Sequence, residues 1–184
     1  MRKSAPLLAN RLGVTTHVSP LRFRLTALQR QYPSADAACL EDWLIDVANA
    51  RGARIVSRDV SKAGTFSPPP EDALSNSELV VAICQPQCLD RPHMLRLAAQ
   101  LISRKAVRVS EIKLAARRER AGRVLAELAR QVLKVEPDHE VWRAILDTFG
   151  EEHAFREPIL HWTRLAEPVM RNGRCNASEW RLVR

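Results

Sequence analysis

Residues 77–133 read SELVVAICQPQCLDRPHMLRLAAQLISRKAVRVSEIKLAARRERAGRVLAELARQVL, and within them one helical hairpin is written twice. Ser77-Glu78-Leu79 returns as Ser110-Glu111-Ile112, 33 residues on. Leu97-Ala98-Ala99-Gln100-Leu101-Ile102 returns as Leu128-Ala129-Arg130-Gln131-Val132-Leu133, 31 residues on. The offset falls by two, so the second connection is two residues shorter. A period of this size is the signature of stacked helix pairs, in which each pair buries its apolar face against the next.

The flanking signals fit that reading. Ser75-Asn76-Ser77-Glu78 forms a capping box, with Glu78 reaching back to the Ser75 amide. Leu79 to Ile83 follow, and Pro86 stops the helix. Asp90 caps a second helix with Pro92 in its first turn and Met94, Leu95, Ala98, Leu101 and Ile102 as its apolar stripe. Ser110 caps a third. A fourth, from Ala121 to Val135, carries Val124, Leu125, Leu128 and Val132 and is continuous with the third through Gly122. Asp138 caps a fifth, with Val141, Trp142, Ile145 and Leu146, closed by Gly150. Pro158 opens a short helix over Ile159, Leu160, Trp162 and Leu165 that Pro168 ends, and Trp180 to Val183 are extended.

Towards the amino terminus, residues 1–33 form a basic arm interrupted by Pro6, Pro20 and Pro33, with a turn or two of helix over Leu21 to Leu28. Residues 34–56 hold a helix capped by Ser34, striped by Leu40, Trp43, Leu44, Val47 and Ala48 and ended by Gly52, then a short extended piece at Ile55-Val56. Residues 57–74, with Pro68-Pro69-Pro70, are a Pro-rich linker. Residues 75–184 form the helical-hairpin domain. The expected fold class is mainly α, built from antiparallel helical hairpins. These hairpins resemble the α-solenoid repeats, HEAT-like and tetratricopeptide-like, over residues 75–150. The likeness rests on amphipathic spacing, because the tetratricopeptide pattern of Trp, Gly, Tyr and Pro is absent. It implies fold and leaves function open.

Composition favours helices: Leu, Ala and Arg abound, and aromatic residues make up only 5% of the 184 residues. The net charge of +8 is unevenly placed. Residues 1–35 hold six Arg or Lys and no Asp or Glu, and residues 101–135 hold ten basic against three acidic groups. Such blocks point to a polyanionic partner, nucleic acid foremost. No apolar run is long enough to span a membrane and no secretory signal is legible, so a cytoplasmic location with no membrane partner is the expectation.

Three constellations bear on chemistry. Cys84 and Cys88, with His93 close behind, offer three soft ligands, but tetrahedral zinc needs a fourth from Cys39 or Cys175. A small core residue at Cys84 and a turn residue at Cys88 is the simpler reading. Glu157 and His161, with Glu152-His153 upstream, share a helical face but lack further ligands; a solvated pair beside Trp162 fits them. The third is basic: Lys113, Arg120, Arg123 and Arg130 fall opposite the Leu125 stripe, Arg117 and Arg118 flank it, and Arg104, Lys105 and Arg108 extend it. Glu119 and Glu127 lie where they can pair with Arg123 and Arg130. The nucleic-acid-binding candidates are Arg104, Lys105, Arg108, Lys113, Arg117, Arg120 and Arg123. The six glycines make no phosphate-binding loop and no serine sits in a nucleophile elbow. The expected function is a non-enzymatic interaction module, without cofactor, that binds another protein. Nucleic-acid binding through the basic face is the alternative, and a metal-dependent enzyme using Cys84, Cys88 and His93 is a more distant one.

Overall fold

The computed structural model describes residues 19–53, 66–89, 91–104, 107–151, 154–171 and 174–183. Arg2 to Arg11 of the expected arm, the extended piece at Ile55-Val56, Asp90, Lys105 and Glu152-His153 lie outside these residues. Within them the chain is mainly helical. Seven α-helices are followed by one antiparallel hairpin: α1 Pro20–Gln31, α2 Leu40–Ala50, α3 Asn76–Ile83, α4 Pro92–Ser103, α5 Val109–Glu119, α6 Gly122–Val132, α7 Glu140–Phe149, β1 Ala166–Arg171 and β2 Arg174–Leu182.

Helix α1 is three turns long rather than one or two. Pro20 opens it instead of interrupting it, because a first-turn proline gives up only an amide that has no intrahelical partner. Ser19 is its cap, accepting from the Arg22 amide at 2.9 Å. Leu21, Leu25 and Leu28 then face inward and belong to the same core as the later helices. From Ser19 onward the supposed arm is therefore part of the packed body.

Helix α2 starts later than its sequence suggests. Ser34 does not cap it; its hydroxyl donates to Asp46 at 2.6 Å, and the helix begins after Cys39. Its far end follows expectation. Gly52 takes a positive φ of 92°. The Gly52 amide donates to the Asn49 carbonyl at 2.9 Å and the Ala53 amide to the Ala48 carbonyl at 3.0 Å. This paired closure satisfies two of the last carbonyls and needs a residue tolerant of the left-handed region.

Arg22 ties α1 to α2 through Glu41 at 2.5 Å. Burial opposes charge on the Glu41 carboxyl, but the Arg22 hydrogen bond and charge, with its own backbone amide, bring it below the ordinary 4.5. A carboxyl with a lower pKa in the folded chain binds fewer protons there, so its contribution is complete above about pH 4.5 and is lost as pH falls through the folded value. Glu41→Gln is expected to lower stability at pH 7 and to flatten the loss of stability below about pH 4.5. Urea titrations at stepped pH check this, and an unaltered acid limb would contradict it.

The Pro-rich segment ends against the body rather than as a free linker. Pro69 is buried, and its carbonyl accepts from Arg51 at 3.0 Å. The capping box forms as read: Ser75 Oγ accepts from the Glu78 amide at 3.2 Å while Glu78 accepts from the Ser75 amide at 3.1 Å. Ser110 is no cap. It and Ser77 each occupy the second position of their helices, and Arg108 stands at the cap of α5. Helix α4 follows Arg91, which makes no side-chain cap and instead pairs with Asp42 of α2 at 3.0 Å.

Helices α5 and α6 are separate. Arg120 adopts a left-handed conformation, φ 58°, and the Ala121 amide closes back on the Ala116 carbonyl at 3.0 Å. Such a closure ends a helix even without glycine. Helix α7 begins after His139, not Asp138, which pairs with Arg143. Its Trp142, Ile145 and Phe149 enter the core.

The carboxyl-terminal helix expected after Pro158 does not form. Only a single 3-10 turn, Trp162–Arg164, precedes the hairpin, and Pro168 lies inside β1 opposite Trp180. A two-stranded sheet keeps open edges, where a residue without an amide hydrogen is tolerated. Trp162 meets Trp180 edge-on at 5.3 Å, and Leu165 and Leu182 fasten the hairpin to the helical core. No helix among the described residues is long and apolar enough to cross a membrane.

Candidate docking face on helix α5

Helix α5 lies beside α3 with both ends pinned. At the start, Ser77 Oγ accepts from the Arg108 amide at 3.0 Å. At the finish, Gln85 Nε2 donates to Glu119 Oε2 at 2.9 Å. The two helices therefore run parallel and in step. Helix α1 runs the other way: Ser19 meets Glu119, whereas Arg24 pairs with Glu78 of the α3 cap at 2.5 Å.

Glu119 is the anchor of this arrangement. Sequence spacing places it with Arg123 on a solvated face, but it is only 3% exposed. Its carboxylate accepts from Ser19 Oγ at 2.5 Å, from the Leu21 amide at 3.1 Å and from Gln85. It thus caps the amino terminus of α1 from a distant helix, where the macrodipole and unpaired amides favour an anion.

The outer face of α5 carries Ser110, Lys113, Leu114, Arg117 and Arg118, all exposed, with Arg120 at its end. Lys113, Arg117, Arg118 and Arg120 have no ion pair or hydrogen bond among the described residues. Leu114 stands among them at 67% exposure. Across a cleft of about 170 Å³ from α5 lies α1, bringing Pro20, Leu21 and Arg24 against Ala115 and Arg118. Phe23, beside Arg24, is 80% exposed.

The other basic candidates are engaged elsewhere. Arg104 donates to the Gly52 carbonyl and Arg108 pairs with Glu111 at 2.9 Å. Arg123 lies 3.9 Å over the Phe155 ring and donates to the Ala154 carbonyl at 3.2 Å. Arg130 pairs with Glu127 and also reaches the Gly150 carbonyl. The helix breaks at Arg120, and beyond it Arg123 reaches Ala154 and Phe155 and Arg130 reaches Gly150. Beside Arg118, which the sequence places on the flank of the basic face, the structure adds Leu114, Phe23 and Arg24. Leu114 has a local signal, an aliphatic residue off the apolar stripe; the two α1 residues have none.

The soft-ligand cluster does not converge. Cys84 and Cys88 are fully buried while His93 is exposed. No group of three His, Cys, Asp or Glu side chains among the described residues is placed to hold a metal. Burial, with Cys88 adding to it, pushes the Cys84 thiol up and keeps it protonated. His161 accepts from the Thr163 amide in the 3-10 turn and lies against Trp162. No known protein family, curated protein or solved structure matches the chain.

Proposed function

We propose that this chain is a non-enzymatic helical interaction module that binds another protein through the outer face of α5 and its margin with α1. The observation that carries this reading is Leu114, exposed among cations that have no ion pair or hydrogen bond among the described residues. An apolar residue ringed by unpaired charge is a common composition for a docking surface. The parallel, in-step packing of α3 and α5 supports reading α3–α4 and α5–α6 as successive copies of one hairpin in a HEAT-like or tetratricopeptide-like stack.

Nucleic-acid binding is the second reading, favoured by the net charge of +8 and the same four cations. The two readings part on salt and on nuclease. Four phosphate contacts give duplex binding a log–log salt slope of about −3.5, a loss of roughly two orders of magnitude between 50 and 200 mM salt. Immobilised full-length chain is expected to retain protein companions after nuclease treatment and to release them when Lys113→Glu and Arg117→Glu are introduced together. Companions lost to nuclease, or steep salt dependence with a generic duplex, would replace the first reading with the second.

A further inference from the structure

The occupant of the α5 face can be specified further, on the reading of that face as a protein-docking surface. The cleft between α1 and α5 is about 170 Å³. That falls below the roughly 300–1,000 Å³ of small-molecule sites and suits one large apolar side chain. Pro20 and Leu21 form one wall and Ala115 the other, with Arg24 and Arg118 among its lining. Phe23, on α1, and Leu114, on α5, are exposed apolar residues of the same two helices.

The acids lining the cleft already have partners, Glu119 buried and Glu78 part-exposed. Glu119 is held by Ser19, Leu21 and Gln85, and Glu78 by the Ser75 amide and Arg24. Among the described residues the outward cations Lys113, Arg117 and Arg118 have no ion pair or hydrogen bond; Arg118 lines the cleft, and Lys113 and Arg117 lie farther round α5. A complementary ligand brings carboxylates to these groups and an apolar knob to the cleft. Lys113 and Arg117 are four residues apart on a helix, so their heads recur once per turn, the interval at which a second helix repeats its own side chains. A duplex would meet the cations but would set its charged backbone against Leu114 and Phe23, losing the apolar contact.

We propose that the α1–α5 cleft seats an acidic amphipathic helix of a partner protein. One large apolar side chain inserts between Pro20, Leu21 and Ala115, and flanking carboxylates reach Lys113, Arg117 and Arg118. This is the helix-in-groove mode with a single anchor and a charged rim.

A random library of peptides about 16 residues long, roughly four helical turns, displayed on phage and selected on the full chain, tests this. Enriched sequences are expected to be acidic, with large apolar residues at three- and four-residue spacing. For a synthetic enriched peptide, fluorescence anisotropy at physiological salt is expected to show about tenfold weaker binding to Phe23→Ala and to Ala115→Phe, which fills the cleft. The triple reversal Lys113→Glu, Arg117→Glu, Arg118→Glu is expected to weaken it about a hundredfold. Phe23 is exposed, so its truncation reads binding rather than folding even where Ala115→Phe disturbs packing. Basic or unpatterned enriched peptides overturn the proposal. A peptide sensitive to the charge reversal but indifferent to Phe23→Ala and Ala115→Phe overturns the cleft while leaving the interaction-module reading intact. Failure to enrich any peptide overturns the cleft proposal, and the retention of protein companions after nuclease treatment decides the interaction-module reading separately.

Discussion

Glu119→Ala is expected to lower the free energy of unfolding by about 3 kcal/mol and to loosen helix α1 first. The substitution leaves the Ser19 hydroxyl and the Leu21 amide without their acceptor and takes one of two acceptors from the Gln85 side-chain amide, which keeps Ser19 Oγ at 2.8 Å. Each buried group deprived of its partner costs about 1–3 kcal/mol, partly offset by no longer having to bury a carboxylate. The damage is directional. The amino terminus of α1 loses its distal cap, and the burial of Leu21, Leu25 and Leu28 depends on α1 staying docked. Amide exchange in residues 20–31 should accelerate well before exchange in α6 or α7. Glu119→Gln, which keeps one acceptor oxygen but places an amide donor among existing donors, should fall between wild type and alanine. The same variant links stability to binding, because α1 forms one wall of the cleft. Uniform exchange across all helices, or a stability change below about 1 kcal/mol, would show that Glu119 is not the anchor.

Trp142→Ala is expected to cost about 3–5 kcal/mol, the range for removing a large aromatic side chain from a packed core. Trp142 is fully buried, and α7 packs on α4, α5 and α6. Its indole N–H donates to Ser103 Oγ at 3.1 Å at the end of α4. Truncation opens a cavity where four helices meet and removes a partner from a buried hydroxyl. Trp142→Phe retains most of the volume but not the hydrogen bond, and should cost roughly 1–2 kcal/mol. Denaturant titrations of the three proteins separate packing from hydrogen bonding. Equal losses for Phe and Ala would contradict the packing account. A loss of this size is a large part of the about 5–15 kcal/mol that holds a domain of ordinary stability.

The two variants sit at opposite ends of what could be read from the residues. Trp142 lies on a visible apolar stripe, Val141, Trp142, Ile145 and Leu146, of which Trp142 and Ile145 are buried, together with Phe149 outside that stripe. Glu119 carries no such mark. In sequence it is one more charge in an Arg-rich run, four residues from Arg123, and helix spacing alone assigns it to a surface pair. Its true partners, Ser19 and Leu21, are 100 and 98 positions away. Lys113 and Arg117 are exposed, as the helical wheel implied, whereas Arg120 is exposed at a left-handed break rather than on a helical face. Arg104 and Arg123 are instead drawn to a carbonyl and an aromatic ring that only chain packing brings near.

What the residues determined unaided is local. The Ser75–Glu78 capping box, the Gly52 closure and the apolar stripes of α2, α4, α6 and α7 all arise between groups within about one or two helical turns, where spacing alone sets geometry. Tertiary structure decided the rest. At the helix start around Pro20 it added Glu119, a distant acceptor for the Leu21 amide and the Ser19 hydroxyl, to the local Ser19 cap. It placed Pro168 in a strand by pairing it with Trp180, and it built the cleft by laying α1 antiparallel to α5. Each of these depends on satisfying buried polar groups and apolar area with partners far along the chain. No window of neighbouring residues records which distant group will arrive.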